Sequence, residues 1–188
     1  QLKSPENNGL LIISGPSGAG KTTLSHALIA AVPDTLIAVS HNTRPQRGNE
    51  KNGIDYFFVS KEEFQELIDN GEMVEYAEVY GNFYGTSRHS IEKPLREGKN
   101  IILDIDWQGA RRVKSLFPGA VSVYILPPAD REAEKRLQLR QQDTDDTIDA
   151  RMSSYQEQMS HSHEYDHQLI NDDLAEAIQQ LVKIAPFS

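Results

Sequence analysis

Residues 15–22 read Gly15-Pro16-Ser17-Gly18-Ala19-Gly20-Lys21-Thr22 and are followed by Thr23, a spacing of glycines, lysine and hydroxyls suited to holding phosphates. The glycines let successive backbone N–H groups point into one concavity, and the helix that follows turns its positive end toward the same anion. Residues 15–23 are therefore expected to bind the triphosphate of ATP or a similar nucleotide, with Lys21 bridging the outer phosphates and Thr22 holding Mg2+. A second candidate is the acid pair in Ile101-Ile102-Leu103-Asp104-Ile105-Asp106. In an open parallel sheet the carboxyl ends of strands are where ligands bind. Strand alternation would turn Asp104 and Asp106 to one side and Ile105 away, so that Asp104 can share the Mg2+ with Thr22. The competing use of such an aspartate is as the cap of a helix beginning near Trp107.

A third constellation is Ser40-His41-Asn42-Thr43-Arg44-Pro45-Gln46-Arg47-Gly48. Two guanidiniums three residues apart in a turn suit a phosphate monoester, because each can give a forked, charge-assisted pair of hydrogen bonds. Tyr56 and Tyr84 can add neutral donors, and the alternative is a solvated loop with unengaged arginines.

These groups need elements to hold them. Apolar runs at residues 10–14, 100–105 and 121–126 read as buried parallel strands. Helical patterns occupy residues 22–31, 61–70, 90–96, 109–116, 130–141, 145–161 and 174–184, and the first is expected to bury Leu24, Ala27, Leu28 and Ala31. Such alternation implies an α/β fold. Residues 40–89, rich in Arg, Tyr, Asn and Gly, read as a polar, partly β insertion, and residues 127–167 as a charged, nearly all-helical one.

A chain of 188 residues is expected to form one domain. With 28 acidic against 19 basic residues it carries a charge of −9, which disfavours a sequence-independent grip on nucleic acid or anionic membrane and favours a small anionic partner met in a local basic pocket. No cysteine is present, which excludes disulfides and thiolate metal sites. No stretch approaches the roughly 20 apolar residues of a membrane span, and the polar residues 1–8 lack the apolar run of a secretory signal. A cytoplasmic location is expected. His161, His163 and His167 invite a metal hypothesis, but they fall in a polar region where Tyr155, Tyr165 and Asp166 are expected to pack the helical segment against the core.

Taken together, the phosphate loop, Thr43-Arg44 with Arg47, Gly53-Ile54-Asp55-Tyr56, Glu75-Tyr76-Ala77-Glu78, Gly81-Asn82-Phe83-Tyr84-Gly85-Thr86-Ser87, residues 103–109 and Ile170-Asn171-Asp172-Asp173 form an ordered set. Over residues 9–181 the chain resembles the guanylate kinases. The resemblance implies ATP + GMP going to ADP + GDP with Mg2+, dGMP being a possible second acceptor. It implies a phosphate-loop NTPase fold: a three-layer α/β core with a parallel sheet (residues 9–39, 90–126 and 168–185), a mixed β/α GMP-binding region (40–89) and a helical lid (127–167). It assigns Arg44, Arg47, Tyr56 and Tyr84 to the GMP phosphate, and Ser40, Glu75, Thr86 and Asp106 to guanine, with Asp104 alongside. The lid arginines Arg140 and Arg151 would reach across to the triphosphate and act with Lys21 and Arg44 in catalysis. Guanine presents two adjacent N–H donors that one carboxylate such as Glu75 can accept, whereas adenine would oppose it with a lone pair.

Two departures from the family pattern bear on this. Pro45 and Gly48 each stand one position early, although the arginines keep their spacing, and the lid reads Leu139-Arg140-Gln141 where glycines usually flank the arginine. The altered loop backbone is expected to affect GMP affinity. A non-catalytic interaction module of the same fold, or a kinase for another nucleoside monophosphate, would share the core. Neither oligomeric state nor regulation is written in these residues.

Overall fold

The run Leu10-Leu11-Ile12-Ile13 forms the middle strand of a parallel sheet whose two faces are both covered, which is why it is apolar without alternation. The computed structural model describes residues 9–16, 18–128 and 144–187. In chain order the elements are β1 (Leu10–Ser14), α1 (Lys21–Ala31), β2 (Thr35–Ile37), β3 (His41–Asn42), β4 (Phe57–Phe58), α2 (Lys61–Asp69), β5 (Met73–Val79), β6 (Asn82–Ser87) and α3 (Arg88–Arg96). They continue with β7 (Asn100–Asp104), α4 (Trp107–Leu116), β8 (Val121–Leu126), α5 (Asp145–Ser160), a 3-10 turn at Ser162–Glu164, β9 (His167–Ile170) and α6 (Leu174–Ile184).

The five strands of the larger sheet run in the order β2-β7-β1-β8-β9 and pair in parallel throughout. Leu10 and Ile12 face one layer with Ile91 of α3 and Ala110 and Val113 of α4. Leu11 and Ile13 face the other, with Leu24 and Leu28 of α1 and Ala177 and Leu181 of α6. Helix-sheet-helix layering of this kind is the three-layer α/β fold expected from the sequence. The buried stripe of α1 is narrower than its pattern suggested: Leu24, Ser25 and Leu28 are buried, whereas Ala31 is exposed.

Two strands of this sheet were not anticipated. β2 is short and only half covered, and β9 buries Leu169 alone, so neither reads as an apolar run. The helix expected over residues 130–141 lies outside the described residues.

Residues 41–87 build a second, mixed sheet in the order β4-β3-β6-β5. Its long hairpin turns at Tyr80-Gly81, where φ is 51° and 80° respectively. Positive φ at both central residues matches the right-handed twist of the flanking strands. α2 closes the back of this sheet through Phe64, which is fully buried and stacks on Phe83 at 5.5 Å between ring centroids. Gly85 makes that packing possible, since a Cβ there would come within 2.6 Å of the Glu75 carbonyl oxygen and 2.8 Å of the Tyr76 Cβ.

Phe64→Ala is expected to lower unfolding stability by about 3–5 kcal/mol through the cavity it leaves. Because β5 and β6 rest on that ring, the mixed sheet should loosen more than the parallel one; a melting curve followed by amide hydrogen exchange of the two sheets checks both.

Candidate active site

The phosphate loop leaves β1 at Ser14 and enters α1 at Lys21, so the strand's carboxyl end and the helix's amino end meet around it. Its shape is set by close approach. A Cβ on Gly15 would lie 2.6 Å from the Ile125 carbonyl oxygen of β8, and Gly20, at φ 86°, leaves room for the Asn171 amide. Asn171 donates from Nδ2 to the Ala19 carbonyl at 2.9 Å, bracing the loop from the end of β9. Ser17 lies outside the described residues.

A cavity of about 640 Å3 opens over this loop. Gly15, Gly18, Gly20, Lys21, Thr22 and Thr23 line it, together with Asp104, Asp106, Trp107, Tyr124 and Gln158. Lys21 Nζ stands 3.4 Å from Asp104 Oδ1, so the loop's cation and the β7 carboxylate meet at the sheet edge. Burial pushes the Tyr124 phenol up to about 12, and its hydroxyl donates to the Met159 sulfur at 4.0 Å. The Trp107 ring stacks on His161 at 3.7 Å and carries the Arg111 guanidinium 4.6 Å from its centroid, tying the start of α4 to the end of α5.

A second cavity of about 330 Å3 lies on the other side of Asp104, Ile105 and Asp106, which line both. Ser40, Tyr56, Glu75, Tyr76, Tyr84 and Arg112 are among its other walls. A register shift between Met73 and Glu75 marks a bulge in β5, next to which Val74 goes into the core and Glu75 into the cavity. Thr86, directly paired with Glu75, donates to its Oε1 at 2.8 Å. Gly109 sits where the acids converge, since a Cβ on it would be 3.4 Å from both Glu75 Cγ and Asp106 Oδ1. Burial pushes the Glu75 carboxyl up; the Thr86 bond pulls it back, Asp106 pushes it further and Arg112 opposes that.

Asp106 corrects the alternation argument. β7 ends at Asp104, and Asp106 caps α4, accepting the Gly109 N–H at 2.8 Å. Both acids still line the same cavities, but through strand end and cap rather than through one face of a strand.

The structure does not yet bring every expected residue to these walls. Arg44 is held by Glu50 in a bidentate pair at 2.8 and 2.7 Å, with its guanidinium carbon 5.2 Å from the Tyr56 ring centroid. That bond pulls the Glu50 carboxyl down to about 2 and pushes the Arg44 guanidinium up. The Arg47 backbone N–H donates to the same carboxylate at 2.8 Å. Arg151 is exposed on α5 and lines neither cavity, although Gln158 lies two turns along on the same helix face. Arg140 lies outside the described residues. Trp107, Tyr124, Gln158 and Arg112 were not singled out from sequence; only the apolar spacing of α4, which turns Ala110 and Val113 inward, hinted that Arg112 faces away from the core.

A phosphate loop at the carboxyl edge of a parallel sheet, with lysine and aspartate meeting there and an acid-lined cavity next to it, defines a P-loop nucleotide-binding protein of the α/β class. Comparison with known proteins narrows this. A family model for guanylate kinase matches residues 7–185. The guanylate kinase of Methylococcus capsulatus is 50% identical over 172 residues, spanning 92% of this chain and 84% of that protein. That of Vibrio cholerae is 49% identical over 177 residues, spanning 93% and 86%. The crystal structure of guanylate kinase from Anaplasma phagocytophilum superposes with a TM-score of 0.68 at 34% identity, over 93% of this chain and 82% of that one. The chain belongs to the guanylate kinase family, and its activity is that of an ATP-using guanylate kinase. Neither a non-catalytic interaction module nor a kinase for another monophosphate is favoured. Among the described residues no helix is long and apolar enough to cross a membrane.

A ligand that offers N–H donors to Glu75 needs it ionised, so binding of such a ligand should fall as pH drops, with a midpoint above that of an ordinary glutamate. Arg112→Gln should move that midpoint further up. In the ligand-free protein the sign is opposite: a raised carboxyl favours the fold below its unfolded value, and this advantage is lost as pH rises through the folded value. Glu75→Gln should remove that loss while abolishing the pH-dependent part of such binding, as melting curves and titrations across pH will show.

Proposed function

We propose that the chain transfers the γ-phosphoryl group of ATP to GMP across the wall formed by Asp104, Ile105 and Asp106, giving ADP and GDP. The observation that carries this reading is that one cavity is floored by the phosphate loop, the next is walled by the half-buried Glu75 carboxylate, and residues 104–106 line both. ATP lies with its phosphates over residues 15–23, where backbone N–H groups and the start of α1 meet the charge. Lys21 exchanges its contact with Asp104 for the outer phosphate oxygens.

GMP occupies the smaller cavity. Glu75 accepts from the guanine ring N–H and amino group, held in orientation by Thr86, while Ser40 donates to the carbonyl oxygen and Asp106 accepts on its side of the base. A base that opposes a lone pair to Glu75 leaves a half-buried charge unpaired and is rejected. Arg44 leaves Glu50 for the GMP phosphate, joined by Arg47, Tyr56 and Tyr84. Thr22 and Asp104 supply hard oxygen donors at the edge of the same cavity, a set that fits Mg2+ completed by substrate phosphates. An Mg2+ held by these oxygens would supply positive charge to the transferring phosphoryl group. Arg151 approaches the triphosphate as α5, which carries it, closes toward the phosphate loop, whereas Tyr165 in the core and His167 in β9 stay with the sheet; Arg140, assigned to the same role, lies outside the described residues. An oxygen of the GMP phosphate attacks in line, so the chain needs to position and to neutralise, and no side chain forms a covalent intermediate.

A coupled assay over a panel of monophosphates should give turnover with GMP far above AMP, CMP and UMP; a preference for AMP by folded protein would sink the base assignment. Lys21→Ala should remove most turnover, while Glu75→Ala should chiefly raise KM for GMP and leave ATP binding intact. Equal loss of ATP affinity in both variants would contradict these roles.

A further inference from the structure

Asn42 is fully buried in β3, yet only one end of its side chain is engaged. Its Oδ1 accepts the Arg44 N–H at 2.6 Å, a turn in which an asparagine fixes the backbone two residues on. The bond also settles which end of the amide is which, since only the oxygen can accept from an N–H. Nδ2 is left with no hydrogen-bond partner among the described residues. A buried amide in that condition is costly, and a folded protein rarely keeps one without a use for it.

Position says what the use is. Asn42 pairs with Tyr84 on one side and with Phe58 on the other, and paired residues in a sheet share a face. Tyr84 lines the smaller cavity, as does Ser40, two residues before Asn42. The Arg44 guanidinium lies against the same group of rings, 5.2 Å from the Tyr56 centroid and 5.9 Å from that of Phe58.

We propose that Asn42 is a positioning residue for the acceptor phosphate: its amide oxygen aims Arg44, and its unpartnered N–H group is held for the anion that Arg44 takes on leaving Glu50. This rests on the assignment of Arg44 to the GMP phosphate made above. It also accounts for how the loop keeps its arginines in place with Pro45 and Gly48 shifted, because the turn is anchored before either residue is reached.

The test uses a matched pair, Asn42→Thr and Asn42→Val. Both side chains suit a strand and differ only in the hydroxyl, which can accept from the N–H two residues on and donate once. Asn42→Val is expected to raise KM for GMP about tenfold or more relative to Asn42→Thr, the worth of one hydrogen bond in a charged setting. KM for ATP and calorimetric binding of guanosine, which has no phosphate, should be the same in both. Equal KM for GMP in the two variants would overturn the proposal, and so would a parallel loss of guanosine and ATP affinity in Asn42→Val. Arg44→Ala separates the two layers of the argument. If it raises KM for GMP while the matched pair agree, the role of Asn42 alone fails; if it leaves KM for GMP unchanged, the phosphate assignment fails and this inference with it.

Discussion

Two nucleotides that both carry negative charge have to be brought together, and the protein has to supply opposing charge and fixed dipoles where they meet. The fold answers this at the carboxyl edge of its parallel sheet. There the amino end of α1, Lys21 and the carboxylate of Asp104 lie within one cavity, while Asp106 reaches both this cavity and the next. Lys21 and Asp104 hold each other in a partly exposed pair, so neither charge is left unmatched when the phosphates are absent. The buried strands around them are what make the arrangement rigid, because β1, β7 and β8 are pinned in register on both faces.

The acceptor side works by a different balance. Glu75 is kept in a place that disfavours its charge, and three neighbours adjust the cost: the Thr86 hydroxyl and Arg112 ease it, Asp106 adds to it. The proposed preference for a base that offers donors grows out of that tension, since a half-buried ionised carboxylate is best satisfied by donors. The bulge in β5 turns this side chain into the cavity, and Gly109 leaves room for it beside Asp106.

Much of this was legible in the residues. The strands β1, β7 and β8 announce themselves because both their faces are covered, and the phosphate loop because its glycines and lysine have few other uses at that spacing. β2 and β9 were not legible, since an edge strand with a single buried residue has no pattern to show. Asp106 was placed on the correct wall for an incomplete reason: its backbone had already left the strand to start a helix. Trp107 and Arg112 of α4, Tyr124 of β8 and Gln158 of α5 come from three separate elements, and only tertiary juxtaposition makes them part of a site. The Asn42 turn explains how an arginine pair survives in a loop whose proline and glycine are displaced.

The pair between Arg44 and Glu50 sets a threshold for any anion that approaches the loop. A carboxylate tethered six residues from its guanidinium is present at an effective concentration on the order of millimolar or above, so free inorganic anions compete for Arg44 at a disadvantage. A ligand that reaches only this guanidinium must displace the tethered group unaided, whereas one held elsewhere in the cavity as well has further contacts to draw on. The loop thus carries its own competitor for any anion that approaches, set by chain connectivity rather than by a moving gate.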